Sequence, residues 1–414
     1  APLRRSGCVT ELQVISREYG ALVGSIGSIL CSTGIFISVL AQVVACAGLI
    51  TVLFPSCSVG AAAVAAIAAM CVYVIFGGTW GAGMGGIVKL ILLYATSVAG
   101  MACALFLCGG PSGLLESIRQ LLCGTALGGI QEATGLSSLR DSADLARRFL
   151  NLTARGAVKD LGSGVSLLLG VLSTQTYAQA IWSAETDRKA KKGALLSALL
   201  IPPIGIAGIC IGMFMRGHYI TQAEVDALTA AGQAVPELPV LASTIQTFPA
   251  FVINHLPPLF AGIVLGTLLI TVVGGGAGLS LGMATILLKD IYKRVTRRID
   301  GPEKELIVIR VTIVAILGIA AFVAATVPCS TINDLGFLSM GLRGTVVFLP
   351  MNCALWFAGR IDRRCILVSV SLAPLAVLAG KLLTLPFDSL FLGMAVSLLC
   401  CLAGRLIVRT KTRV

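Results

Sequence analysis

Charge is the first thing this sequence is short of. Of its 414 residues, 12% are Asp, Glu, Lys or Arg, about half the share of a soluble domain. Histidine is scarcer still, with only His218 and His255. There is no H-E-x-x-H, and no Ser, His and Asp set can be assembled, so hydrolytic and zinc-protease chemistry has no candidate residues. The 14 cysteines include no C-x-x-C pair and lie mostly inside apolar runs, as soft packing residues do. A metal cluster or disulfide framework is therefore not expected, although Cys57 and Cys329 fall in connecting segments and could pair. "GAGMGG" at 81–86 fits G-x-G-x-x-G as a string, but it follows a hydrophobic run rather than a strand, so a dinucleotide site is excluded. No cofactor is expected, and the chain does not read as an enzyme.

Apolar residues are abundant instead, at 57% of the chain. A water-soluble protein of this size would have nowhere to put them, which makes this an integral membrane protein. The net charge of +12 does not indicate nucleic-acid binding, because the basic residues sit in short clusters between apolar runs. A membrane-crossing helix needs about 20 apolar residues. Such stretches occur at 22–50, 60–77, 87–108, 162–182, 194–215, 258–288, 306–327, 332–358, 365–385 and 388–409. The expected fold is all-α, a polytopic bundle of about ten spans forming one transmembrane domain over 1–414.

Lys and Arg concentrate in alternate connections, notably 183–193, 289–305, 359–364 and the tail. By the positive-inside rule both ends of the chain are cytoplasmic, in a multi-pass protein of the plasma membrane with lipid as its solvent. The segments 112–160 and 216–257 then lie on the outer side. Both carry short helical patterns, and Thr221 with Glu224 forms a capping-box signature.

Few charges interrupt the spans. Arg343, in SMGLRGTVVFLP, is ten or more residues from either end of its stretch. Such a residue marks a functional site, either holding an anionic solute or acting as a fixed cation; the structural alternative is a cap on free carbonyls. Lys381 is a second embedded basic residue, near enough to a span end to snorkel. Arg310 and Lys89 read as interfacial. Prolines in LIPPIG (200–205) and at Pro350 are expected to interrupt their helices.

Four stretches, in order, resemble the sodium/solute symporter family: VTELQVISREYG, YVIFGGTWGAGMGGIVKLILL, LSTQTYAQAIWSAETDRKAKKGALLSALL and LITVVGGGAGLSLGMATILLKDIYKR. The resemblance covers nearly the whole chain. It implies a LeuT-type inverted repeat, here lacking the first core helices, so that the chain is expected to be a fragment. It further implies a secondary transporter of a small polar or anionic solute working by alternating access. Gln175, Thr176, Tyr177 and Gln179, with the helix carrying Arg343, would line the solute path.

The same resemblance places the family's sodium-ligating side chains at Gly274 and Gly275, at Ala277 and Gly278, and at Gly86. None of these offers a side-chain oxygen, which a hard cation requires. Sodium coupling is therefore not expected, leaving a proton or no coupling ion, with Arg343 as a substitute charge. The alternative is a non-transporting sensor or degenerate homologue.

Overall fold

The computed structural model describes residues 2–133, 142–154, 156–296, 301–326, 332–383, 385 and 387–411, with the backbone alone at 77–85, 130–133, 142, 143, 302, 332–334 and 411. Cys329 lies outside the described residues, as do the side chains at 81–85 of the glycine string.

The chain is helical nearly throughout. A short helix α1 (Glu11–Tyr19) begins at Thr10, whose hydroxyl accepts from the Gln13 N–H at 3.1 Å. Gly20, at φ +96°, supplies the left-handed turn into α2 (Ala21–Leu53). At 33 residues α2 is about 50 Å long, and it is the central post of the bundle. It packs against α3 (Val59–Leu107), α7 (Pro258–Ile286) and α9 (Ile332–Trp356). Between α3 and α7 in the chain come α4 (Ala157–Leu172), α5 (Gln175–Ser183) and α6 (Asp187–His218). Outside the central post stand α8 (Pro302–Thr326), α10 (Arg363–Leu382) and α11 (Leu390–Lys411).

Among the described residues nine helical stretches are long and apolar enough to cross a membrane, two of them (59–76 and 86–107) within α3, and ten if the bent pair α4–α5 counts as one crossing. Burial divides them sharply. In α9, 61% of the most apolar window is buried, against 11% in α6; α9 is wrapped by protein, while the apolar surface of α6 is free to face lipid.

Three details differ from the sequence reading. The stretches 60–77 and 87–108 lie in one uninterrupted helix of 49 residues, α3, because the glycine-rich link between them contains no proline to stop it. The prolines at 202, 203 and 350 likewise do not interrupt α6 or α9. A proline removes one helical N–H and leaves the carbonyl four residues earlier without its donor, here those of Ala198 and Leu199; the Tyr94 hydroxyl donates to the next carbonyl, of Leu200. The break falls where no proline stands, at Ser173–Thr174, where α4 and α5 meet at a 50° bend.

The segment 219–257 holds a parallel pairing of Ile220–Thr221 with Val240–Leu241. The capping box of Thr221 and Glu224 starts helix Gln222–Ala230, and Thr247–His255 follows. Together with Pro111–Leu122 these elements close a second apolar cluster around Leu114, Ile118, Phe214 and Phe251.

Candidate functional site

Arg343 is fully buried, at 0% exposure. Its guanidinium sits where α2, α9 and the α4–α5 break converge. Nη1 donates to Thr174 Oγ1 at 3.0 Å, and Nη2 to Ser38 Oγ and Ser339 Oγ, each at 3.0 Å. Nε donates to the Ser339 carbonyl at 3.2 Å, and Met340 Sδ lies 3.2 Å from Nη2. The hydroxyls are themselves anchored. Thr174 donates to the Gly170 carbonyl at 2.6 Å, Ser339 donates to the Gly34 carbonyl, and Ser38 and Ser339 are 2.6 Å apart. Gly34 is required by close approach: a methyl group there would lie 2.9 Å from Arg343 Cγ.

This cradle solvates the cation but does not neutralise it. Among the described residues no carboxylate lies within 4 Å of Arg343. A buried charge held only by neutral dipoles is costly and favours an anion nearby. Beside it, Ser173 Oγ is buried at the break with no hydrogen-bond partner among the described residues, as are Ser166 Oγ on α4 and Ser32 Oγ on α2. Such orphaned hydroxyls in a native core call for a ligand or water.

The carboxylate facing this charge from α1 is Glu11, 3% exposed. Burial pushes its carboxyl up to about 8, although the Arg343 charge draws it down. Its backbone N–H donates to Gln175 Oε1 at 3.0 Å, while Gln175 Nε2 donates to the Val9 carbonyl at 2.9 Å. Gln175 therefore clamps the start of α1 to the start of α5, with both ends of its amide engaged. Of the other residues expected on the solute path, Tyr177 is exposed, and Thr176 and Gln179 are half-buried. Thr176 packs toward Gly282, where a methyl group would lie 3.1 Å from its Cγ2. The structure thus gathers Thr174, which the sequence reading missed, with Arg343, and gives Gln175 a fastening role.

Lys381 falls at the end of the candidate span 363–382. It is exposed in the last turn of α10 and lines a cavity of about 300 Å³ with Lys159, Ser163, Phe337 and Asp388. That cavity opens about 9 Å along α9 from Arg343, the rise of six residues.

The glycines of α7 lie apart from this cradle. A methyl on Gly274 would stand 3.7 Å from Tyr73 Oη and 3.9 Å from Lys89 Nζ, and one on Gly275 would stand 3.2 Å from Gln42 Oε1. One on Gly276 would meet Met70 Sδ at 2.6 Å, whereas nothing lies within 4 Å of one on Gly278 or Gly86; Ala277 is fully buried. The substitute charge expected from Arg343 is thus not at these positions. The cationic side chain beside them is Lys89, which is half-buried. Among the described residues, the side-chain groups nearest to methyl groups on Gly274 and Gly275 are one phenol, one amide and one ammonium, with no carboxylate among them. That set does not fit a sodium ion.

The α7 glycines end in KDIYKR, which fastens three elements. Asp290, 2% exposed, accepts from the Thr10 hydroxyl at 2.9 Å. Lys289 and Lys293 both pair with Glu305 of α8. Arg294 donates to Ser16 Oγ at 2.6 Å and Ser25 Oγ at 2.9 Å.

A polytopic helical bundle with one helix pair bent by 50°, and a buried cation at the bend, has the form of a LeuT-type secondary transporter. The model of the sodium:solute symporter family matches residues 2–359, and the chain belongs to that family. Among solved structures it is similar to that of a Na+-coupled sialic acid symporter in a substrate-bound outward-open state. The two are 15% identical, with a TM-score of 0.68; the match covers 98% of this chain and 78% of the other. No curated protein sequence matches the chain.

Proposed function

We propose that the chain is the transporting body of a plasma-membrane carrier for a small anionic solute, working by alternating access without sodium coupling. The carrying observation is Arg343: fully buried, held by three hydroxyls, and without a carboxylate counter-ion within 4 Å among the described residues. An anionic solute supplies the missing charge, and the orphaned Ser173 hydroxyl supplies a donor at the helix break. Broken helices serve transporters in this way, because their ends free polar groups at mid-membrane depth. With both chain ends on the cytoplasmic side, the cavity of Lys159 and Lys381 is the outer mouth above Arg343, where two ammonium groups draw anions inward. The structural neighbour is named for sialic acid, itself a carboxylate, which makes that compound the first probe.

The test is uptake of labelled sialic acid, and of a panel of small mono- and dicarboxylates, into vesicles containing the purified chain. Sodium and choline buffers are compared. Uptake of at least one anion, equal in both salts and lost in Arg343→Gln, is expected. Steep sodium dependence would sink the uncoupled reading. Saturable binding without uptake would favour a second reading, a sensor or degenerate homologue, which the missing side-chain oxygens at Gly274 and Gly275 also accommodate.

A further inference from the structure

We propose that the Lys89 ammonium is a built-in cation that stands in for sodium at the contact of α3 with α7. The first support is position. A methyl group on Gly274 would lie 3.9 Å from Lys89 Nζ. A serine hydroxyl at 274 would extend one bond beyond that methyl group. The loss of a ligand oxygen and the arrival of a positive charge thus coincide in space, although residues 89 and 274 are far apart in the chain.

The second support is chemistry. An ammonium has three N–H donors and no acceptor, so it seeks neutral oxygens when no acid is present. The oxygens bordering these glycines are of that kind. Tyr73 Oη is 3.7 Å from a methyl on Gly274, and Gln42 Oε1 is 3.2 Å from one on Gly275. Among the described residues Lys89 has no carboxylate within 4 Å. Gly86, one turn before it on the same helix, carries no side chain, and nothing lies within 4 Å of a methyl group placed there. Without an acid, a free sodium ion beside the ammonium meets only repulsion and two weak ligands.

The consequence separates this chain from an ion-coupled carrier. A bound sodium ion stabilises the α3–α7 contact only while it is bound, and the ion gradient thereby drives the cycle. A tethered ammonium is always present and cannot be released to the cytoplasm. The contact is permanently charged, and the cycle runs on the solute gradient. That last step rests on the transport reading above; occupation of the contact by Lys89 does not.

Thermal unfolding of the purified chain in sodium chloride and in choline chloride of equal strength tests the proposal without any solute. No sodium-specific shift is expected for the unmodified chain or for Gly274→Ser/Gly275→Ser, in which hydroxyls are restored but Lys89 remains. Adding Lys89→Met to that pair should open the site, so that sodium raises the midpoint by roughly 2–4 °C. In a second arm, Lys89→Ala should lower the midpoint, and ethylammonium chloride, but not choline chloride, should restore it. A sodium shift in the unmodified chain or in the Lys89-containing pair overturns the proposal, as does ethylammonium having no effect on Lys89→Ala. If these arms behave as expected but no anion is taken up, the transport reading fails and the assignment of Lys89 stands.

Discussion

The Arg343 cradle and the α3–α7 contact both bury positive charge in one bundle, by opposite means. Around Arg343 the chain provides hydroxyls: Ser38, Thr174 and Ser339 each meet a guanidinium N–H at 3.0 Å. Along α7 it removes side chains altogether, so that the helix backbone approaches Tyr73, Gln42 and Met70 closely. The first region is built to hold a charge and leave it unbalanced. The second is built to close. A family resemblance alone would have put the ion chemistry in the second region. Among the described residues, the three hydroxyls and the carboxylate-free guanidinium are in the first.

The largest expected effect tests the cradle. Arg343→Met should lower anion uptake by about 100-fold or more, because a desolvated charge pair is lost. Arg343→Lys should retain about a tenth of the activity, keeping the charge but not the planar fork that meets three hydroxyls. Initial-rate uptake in vesicles, with circular dichroism as a folding control, measures both. If Arg343→Met transports normally, the cradle is structural and the contrast between the regions collapses.

Next comes the carboxyl that faces the cradle. Glu11 has an ordinary value of 4.5, raised to about 8 in the fold. Between those values the folded protein keeps a proton that the unfolded chain has released. Stability therefore falls as pH rises through that window and levels off above it. Over the whole window the fall is on the order of 5 kcal/mol. Glu11→Gln should flatten the slope, leaving the variant more stable than the parent at the alkaline end. Thermal unfolding at several pH values reads this directly; parallel curves for the two proteins would refute it.

The glycine contact can be sharpened by a pair of substitutions. Gly276→Ala places a methyl group 2.6 Å from Met70 Sδ and should cost about 1–3 kcal/mol through overpacking. Gly278→Ala meets nothing within 4 Å and should gain roughly 0.5–1 kcal/mol, since glycine is a poor helix former. Equal effects would mean that α7 is not closely packed on one face. The smallest effect is expected from Glu305→Gln, which releases two partly exposed lysine pairs and should cost about 1 kcal/mol or less in chemical unfolding.

The number and type of helices were legible because apolar runs of bilayer length have few alternatives. Arg343 was legible for the same reason, as a charge stranded far from either end of such a run. The helix break was not. Prolines pointed to 202, 203 and 350, whereas the chain bends at Ser173–Thr174, where the Thr174 side chain turns to meet Arg343. That bend is set by a partner 169 residues away, and local propensity carries no trace of it. Glu11 was hidden in a polar entry segment whose burial only the packed bundle reveals. Lys89 read as interfacial because its neighbour across the contact, Gly274, offers no side chain to suggest a pairing.

The turn at Leu287–Tyr292 is a π turn, with an extra residue wound into it compared with α-helix. It carries Asp290 toward Thr10 while Lys289 and Lys293 both reach Glu305 and Arg294 reaches α1 and α2. Each residue of an α-helix advances the side-chain direction by about 100°. The inserted residue therefore acts as a phase shift between the apolar wall of α7 and the polar hooks that follow it. Deleting one residue from 287–292 would leave composition and hydropathy almost unchanged, yet it would swing Lys293 and Arg294 away from their partners. The chain would still enter a membrane, but with its latch facing the wrong way.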